Sequence, residues 1–319
     1  MLEKTEPTLD PRKFRDPETT LDGSPRAHVA LRDLHTLWFN TGTLCNLACA
    51  NCYIESSPRN DRLVYLSAAE VRTYLDEIAQ EGFGTQLIGY TGGEPFMNPE
   101  MNAMLGETLE RGYEALVLTN AMRPMMRPKV SAELLRLQQA HGERLTMRVS
   151  LDHYSPAVHE HERGENSWAP AMAGLHWLVD QGFRVDVAGR MLSGEPEAEV
   201  RAGFARVFAR EDIPLDAHDP SVLILFPEMD ETLDVPEISR GCWGKVGLSP
   251  DDVMCASSRM VVKRKGAERP AVVACTLLPY DSRFELGNSL REAQAEVALN
   301  HPHCARFCVL GGASCSGGH

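Results

Sequence analysis

The chain has 319 residues, 43% of them hydrophobic, and a formal net charge of −13 at pH 7. That is enough apolar material for one large core plus a small appendage, and the acidic balance argues against non-specific attraction to nucleic-acid phosphates. No apolar run reaches the roughly 18 residues of a membrane-spanning helix, and the polar start Met1-Leu2-Glu3-Lys4-Thr5-Glu6-Pro7 lacks the apolar stretch of a signal peptide, so the expected location is the cytoplasm. Residues 1–33 are polar, proline-rich and mixed in charge. They are expected to form a loosely ordered extension, with a helix start near Pro25. Regular patterning begins at Leu34, with a first strand over 34–40. Ser67-Ala68-Ala69-Glu70 has the form of a capping box and opens a helix to about Glu81, which Gly82-Phe83-Gly84 stops. Strands are then predicted over 85–90, 115–119, 145–151, 183–190 and 221–226. Helices are predicted over 99–111, 130–141, 168–181 and 197–210. Short apolar runs alternating with helical stretches imply βαβ units and a parallel sheet. Six strand–helix pairs suit an α/β fold of the partial (β/α)6 barrel type better than a closed eightfold barrel.

Nine cysteines in a reducing compartment read as metal ligands rather than disulfides. Three of them lie just after the first strand, in Cys45-Asn46-Leu47-Ala48-Cys49-Ala50-Asn51-Cys52-Tyr53, a C-x3-C-x2-C-aromatic spacing. Thiolates this close together can cage an iron–sulfur cluster, which four cysteines normally hold. Three ligands leave one iron open to a small molecule. Zinc is the alternative, although it usually takes four ligands in paired clips; an incomplete ferredoxin motif is another. The spacing with its aromatic neighbour resembles that of the radical S-adenosylmethionine (radical SAM) enzymes. The resemblance implies a partial barrel and a [4Fe–4S] cluster on Cys45, Cys49 and Cys52 whose open iron is chelated by S-adenosylmethionine (SAM). One electron would then cleave the C–S bond, and the 5′-deoxyadenosyl radical would abstract a hydrogen atom from substrate.

Active groups in parallel α/β sheets collect at the carboxyl ends of the strands. Tyr90-Thr91-Gly92-Gly93-Glu94-Pro95 follows the second strand and resembles the family's GGEP motif. Gly92 and Gly93 would let the main chain approach a ligand, and Glu94 would receive the SAM ammonium through a charge-assisted hydrogen bond. Thr119-Asn120 ends the third strand, as a pocket border or a helix N-cap. Ser150, with Asp152 as second choice, is the expected ribose contact. Gly189 would admit SAM closely, and Arg190 would pair with its carboxylate or form a plain salt bridge. Tyr53 is expected beside adenine. Leu223 to Pro227 read as core with a possible adenine contact. His153, His159, Glu160, His161, Glu162 and Arg163 read as a solvated, charge-paired loop. Arg163-Gly164 followed by Ser167-Trp168 resembles the segment that helps close the barrel mouth in SPASM-type radical SAM enzymes.

Six of the nine cysteines lie from Cys242 onward. Strand-like residues around Arg259-Met260-Val261-Val262-Lys263-Arg264-Lys265-Gly266 and Pro270 to Cys275 predict a β-hairpin with Cys255 and Cys275 at its feet. Cys304 and Cys308 form a clip beyond it. These four resemble the ligands of a SPASM or twitch auxiliary module and would complete one auxiliary [4Fe–4S] cluster. Cys242 or Cys315 could replace one of them, and zinc is again the alternative. The expected organisation is an extension over 1–33, a barrel over 34–234 and an auxiliary module over 235–319. The expected function is a radical SAM enzyme fed by a flavodoxin- or ferredoxin-type electron donor, acting on a small molecule. The alternatives are a peptide-modifying maturase of the SPASM type, a non-catalytic Fe–S redox protein and a zinc-binding structural protein.

Overall fold

The computed structural model describes residues 7–192 and 194–312. After β1 (His28–Val29), the chain alternates strand and helix: β2 (Thr36–Asn40), α1 (Ala68–Glu81), β3 (Leu87–Thr91), α2 (Met101–Glu110), β4 (Glu114–Thr119), α3 (Pro128–His141), β5 (Leu145–Ser150), α4 (Pro156–Arg163), α5 (Trp168–Asp180), β6 (Arg184–Arg190), α6 (Glu197–Arg210) and β7 (Leu223–Phe226). Then follow β8 (Ser258–Val262), β9 (Ala271–Val273), β10 (Glu285–Gly287) and β11 (Val297–Ala298). Among the described residues the main sheet has nine strands, in the order β10-β9-β8-β2-β3-β4-β5-β6-β7. From β2 to β7 every pair is parallel and the spatial order follows the chain order. An order that never reverses wraps the sheet in one sense. This is a partial barrel and not a doubly wound sheet, which switches direction at its centre.

Local chemistry sets the elements. The Ser67 hydroxyl accepts from Glu70 N at 3.2 Å and the Glu70 carboxylate accepts from Ser67 N at 2.9 Å, completing the predicted capping box. Gly82 then stops α1 at φ +71°. Val71, Tyr74, Leu75 and Ile78 form the buried face of α1. Along β2, Leu37 and Phe39 face the helices while Trp38 points into the barrel. Trp38 lies across Gly89, where a Cβ would come within 2.3 Å of the ring. Trp38, Leu116 and Met260 belong to the core inside the barrel.

Three expectations need correction. Residues 7–33 are not loosely ordered, and no helix starts at Pro25. Phe14, Ala27 and Val29 are buried, Pro25 bridges Thr19, and β1 pairs with β11. One buried carboxylate gathers several groups of this segment. Glu237 accepts from Phe14 N at 2.6 Å, Leu21 N at 2.6 Å and the Arg26 guanidinium at 2.5 Å. Second, the His-rich stretch is the helix α4 and not a solvated loop. Pro156 opens it and Gly164 closes it, and His159 and Glu162 face inward. Its few residues and polar composition hide that inward pair. Third, the sixth strand–helix pair lacks its helix. Among the described residues, β7 is followed only by a single turn, Trp243–Val246.

The predicted hairpin forms as β8 and β9. It extends the barrel's sheet, because β8 pairs in parallel with β2. No helix among the described residues is long and apolar enough to cross a membrane. Replacing Glu237 with alanine leaves Arg26 buried and uncompensated. The E237A protein is expected to lose about 3 kcal/mol or more, read as a lower denaturation midpoint with faster proteolysis within residues 7–33.

Candidate active site and metal centres

The cysteine loop leaves β2 at its carboxyl end, and the end of β3 holds it there. Gly93 N donates to Gly42 O at 2.8 Å and Glu94 N to Leu44 O at 3.2 Å. A Cβ on Gly92 would sit 2.5 Å from Gly42 O, and one on Gly93 would sit 2.3 Å from Leu44 O. The two glycines are therefore required by the cysteine loop itself, a constraint separate from any ligand. Further along, Ala50 N donates to Glu162 O at 2.7 Å and the Asn51 amide to the Glu162 carboxylate at 2.8 Å. The loop is thus tied to β3 on one side and α4 on the other.

Cys45, Cys49, Cys52 and Tyr53 line one cavity at this end of the barrel, together with Gly92, Gly93, Thr119, Asn120, Ser150, Asp152, Arg163 and Arg190. It holds about 1100 Å³ of empty space, mouth included. The far wall is apolar and comes from later in the chain: Phe226, Pro227, Met229, Leu277 and Phe307. The sequence reading missed Met229, Leu277 and Phe307, because nothing in their local pattern marks them as facing a site. Leu223 is core, whereas Phe226 and Pro227 reach the cavity. Gly189 also lines the cavity, but its missing Cβ makes room for Leu225 and Phe204 at 2.8 and 3.2 Å. That packing need is separate from any ligand.

Charges around the cavity are paired in a chain. Arg163 donates to Asp152 at 2.9 Å, and Arg190 lies 3.4 Å from the Glu162 carboxylate. Burial works against Asp152 ionising, but Arg163 outweighs it and holds the carboxyl below its usual range. Arg190 is thus both a cavity residue and half of a salt bridge. Glu94 lies behind the glycines, outside the cavity lining, and is 2% exposed. Its carboxylate accepts from Thr119 Oγ1 and Asn120 N at 2.8 Å each and from Phe96 N at 3.2 Å. Thr119 and Asn120 therefore orient Glu94 as well as bordering the pocket. Burial pushes Glu94 up to about 7. Among the described residues it has no salt-bridge partner.

The second cysteine set also converges. Cys255, Cys275, Cys304 and Cys308 line a smaller cavity with His303, enclosed by Val253, Met254, Leu277, Phe284, Val297 and Leu299. Cys255 precedes β8, Cys275 follows β9, and Cys304 and Cys308 sit on one π-helical turn, Cys304–Val309. Cys242 is not brought to this cavity; its sulfur lies 3.4 Å from Ser239 N. Cys315 lies outside the described residues.

Burial pushes Cys45 and Cys304 up to about 12 and Cys255 to about 11. Thiols so raised are poor free nucleophiles, but a bound metal deprotonates them outright. Backbone amides already point at the sulfurs, from Leu47 to Cys45 at 3.4 Å, Ser56 to Cys52 at 3.3 Å and Leu277 to Cys275 at 3.3 Å. A tetrahedral zinc with 2.3 Å bonds holds its sulfurs roughly 3.8 Å apart. Among the described residues no three cysteine sulfurs lie within 4.8 Å of one another. Both sets fit a multi-iron cage better than a single zinc ion.

Glu231, His301 and His303 do place one donor atom each within 4.8 Å of the others. However, His301 Nδ1 accepts from His303 N at 3.1 Å. That puts the ring proton on Nε2, facing Glu231, so His301 acts there as a donor and not as a metal ligand.

The radical SAM superfamily model matches residues 39–202, slightly more than half of the chain. The chain belongs to the radical SAM superfamily. It is 35% identical over 145 residues to the antilisterial bacteriocin subtilosin biosynthesis protein AlbA of Bacillus subtilis (strain 168), covering 45% of this chain and 30% of that protein. It is 25% identical over 150 residues to Fe-coproporphyrin III synthase of Methanosarcina barkeri (strain Fusaro / DSM 804), covering 46% and 34%. The matches thus span about a third of the length of these curated relatives. The fold resembles that of Streptococcus suis SuiB bound to precursor peptide SuiA, with a TM-score of 0.59 at 12% identity over 81% of this chain and 63% of that one. As a member of that superfamily it uses a [4Fe–4S] cluster and SAM; the cysteine-rich region from Cys242 onward lies beyond the matched residues.

Glu94 gives the radical SAM site a pH signature. An unfolded glutamate ionises near 4.5, the folded one near 7. Between those values the unfolded state gives up the proton first, so stability falls as pH rises through the window and is flat outside it. The difference is on the order of 3 kcal/mol. In E94Q this component of the pH slope is expected to vanish, measured as unfolding free energy at pH 4.5, 6 and 8 against the parent, both cluster-loaded.

Proposed function

We propose that Cys45, Cys49 and Cys52 hold the SAM-binding [4Fe–4S] cluster and that the protein acts on a peptide. The observation that carries the first part is the convergence of the three sulfurs, the Gly92–Gly93 backbone and the polar ends of β5 and β6 on one cavity. A reduced cluster held by Cys45, Cys49 and Cys52 would supply the one electron that breaks the C5′–S bond of SAM, with methionine leaving and a 5′-deoxyadenosyl radical available to take a hydrogen atom from the substrate. The chain's own residues bind and orient. Gly92 and Gly93 present main chain. Glu94, without a salt-bridge partner, supplies the charge an ammonium group needs. Ser150 offers a hydroxyl from the end of β5, and Arg190 offers a guanidinium for a carboxylate. Asp152 acts through Arg163, which it holds at the cavity wall. Tyr53 and Phe226 supply flat apolar faces. Cys255, Cys275, Cys304 and Cys308 hold the auxiliary cluster, and a flavodoxin- or ferredoxin-type protein supplies electrons.

Two observations support a peptide. AlbA is by name a bacteriocin biosynthesis protein, and SuiB, with which this chain shares a fold, binds a precursor peptide. The second reading, a small-molecule substrate, is favoured by the relative named for Fe-coproporphyrin III synthesis.

Anaerobic reconstitution with SAM and dithionite is expected to yield 5′-deoxyadenosine and roughly eight irons per chain. The triple variant C45A/C49A/C52A should lose all 5′-deoxyadenosine formation yet retain roughly four irons. Unchanged SAM with the parent would remove the enzyme reading. For the substrate, peptides encoded beside the gene are tested by mass spectrometry. A changed peptide mass supports the first reading, whereas turnover only with added tetrapyrrole or another metabolite supports the second.

A further inference from the structure

Arg259 is 0% exposed, yet it forms no salt bridge with any carboxylate among the described residues. The sequence places it in a basic run, Arg259 to Lys265, but only its neighbours behave as one. Lys263 pairs with Glu70, Arg264 with Glu285 and Lys265 with Asp61. Arg259 instead turns inward and donates to four main-chain carbonyls, those of Ala293 at 2.8 Å, Cys255 at 2.6 Å, Ser258 at 2.8 Å and Ala295 at 3.3 Å. Those bonds satisfy its donors without neutralising its charge. A buried charge with no counter-charge is costly. Its bond to the Cys255 carbonyl seats the guanidinium at the foot of the β8–β9 hairpin, whose two ends carry Cys255 and Cys275. Both line the smaller, apolar cavity.

We propose that Arg259 is the fixed counter-charge of the auxiliary centre and raises its reduction potential. This inference rests on the assignment of Cys255, Cys275, Cys304 and Cys308 to an auxiliary [4Fe–4S] cluster. A cube held by thiolates is anionic and gains one more negative charge when it accepts one electron. A positive charge fixed beside an apolar cavity lined by Val253, Leu277, Phe284, Val297 and Leu299 stabilises the reduced form more than the oxidised one. The four carbonyl bonds hold the guanidinium in place, so the effect does not depend on a mobile side chain. The cavity's apolar enclosure suits electron exchange rather than binding of substrate at an iron. The electron comes from the low-potential donor protein or from the substrate radical, and the centre gains or loses one electron with no bond made or broken. Arg259 is thus a positioning and tuning residue and touches no reacting atom.

The test uses the full chain with both clusters, first counted for iron and then titrated with dithionite under EPR observation. R259Q removes the charge and keeps two amide N–H donors of the original five. The auxiliary reduction equilibrium is expected to shift at least tenfold toward the oxidised form, about 59 mV more negative for one electron, with the SAM-site cluster unshifted. R259K keeps the charge and is expected to stay close to the parent. R259M, a second neutral variant of similar length, should agree with R259Q. An unchanged potential in a neutral variant that retains roughly eight irons overturns the proposal. So does an equal loss in R259K, which would make the effect one of shape. A neutral variant that folds but loses only the auxiliary iron supports it, provided R259K retains that iron. A parent protein with only roughly four irons, still bound by C255A/C275A, removes the auxiliary assignment itself and the inference with it.

Discussion

The barrel mouth depends on one main-chain contact. The end of β3 and the start of the cysteine loop approach so closely that neither Gly92 nor Gly93 has room for a Cβ. Two amide-to-carbonyl bonds cross the gap. Because both partners are backbone, the position of Cys45 is set by strand geometry and not by side-chain packing. Cys52 is placed less directly, through Ala50 and Asn51 on the Glu162 end of α4. A loop fixed at both ends by peptide groups can present three thiols to one point without a compact core of its own.

Around that point the protein handles buried charge in two ways. Near the larger cavity, each guanidinium has a carboxylate: Arg163 has Asp152 and Arg190 has Glu162. These pairs conserve local neutrality and leave Glu94 as the uncompensated acid. Near the second cysteine set the sign is reversed, and Arg259 is the uncompensated base. Each excess matches a ligand of opposite charge expected in its neighbourhood, an ammonium group in one case and an anionic metal centre in the other.

Most of the barrel was legible because its elements obey the two simplest periodicities. The predicted strands and the helices over 99–111, 130–141, 168–181 and 197–210 recur within a few residues of their observed bounds. The capping box at Ser67 was readable because its chemistry is local. What escaped notice is held by single buried polar groups. Residues 7–33 have little apolar content, yet Glu237, more than two hundred residues away, gathers two of their amides and Arg26. α4 is short and charged, and only its His159–Glu162 spacing signalled an inward face. The cysteine sets were legible as motifs. That Cys242 stands apart, or that Arg259 turns inward while Lys263, Arg264 and Lys265 pair elsewhere, depends on tertiary placement and has no sequence signature.

The parallel pairing of β8 with β2 has a consequence for the spacing of the two cysteine sets. Cys255 precedes the first residue of β8, whereas Cys45 follows the last residue of β2, and the two strands run side by side in register from Thr36 opposite Ser258. The two sulfur clusters of side chains therefore stand at opposite ends of one ribbon, separated by about five residues of strand, roughly 16 Å. Hydrogen bonds of the ladder fix that separation. Phe307, by contrast, sits between Cys304 and Cys308 on one turn, so a guest that presses on that part of the larger cavity's wall would be felt directly at the second cysteine set.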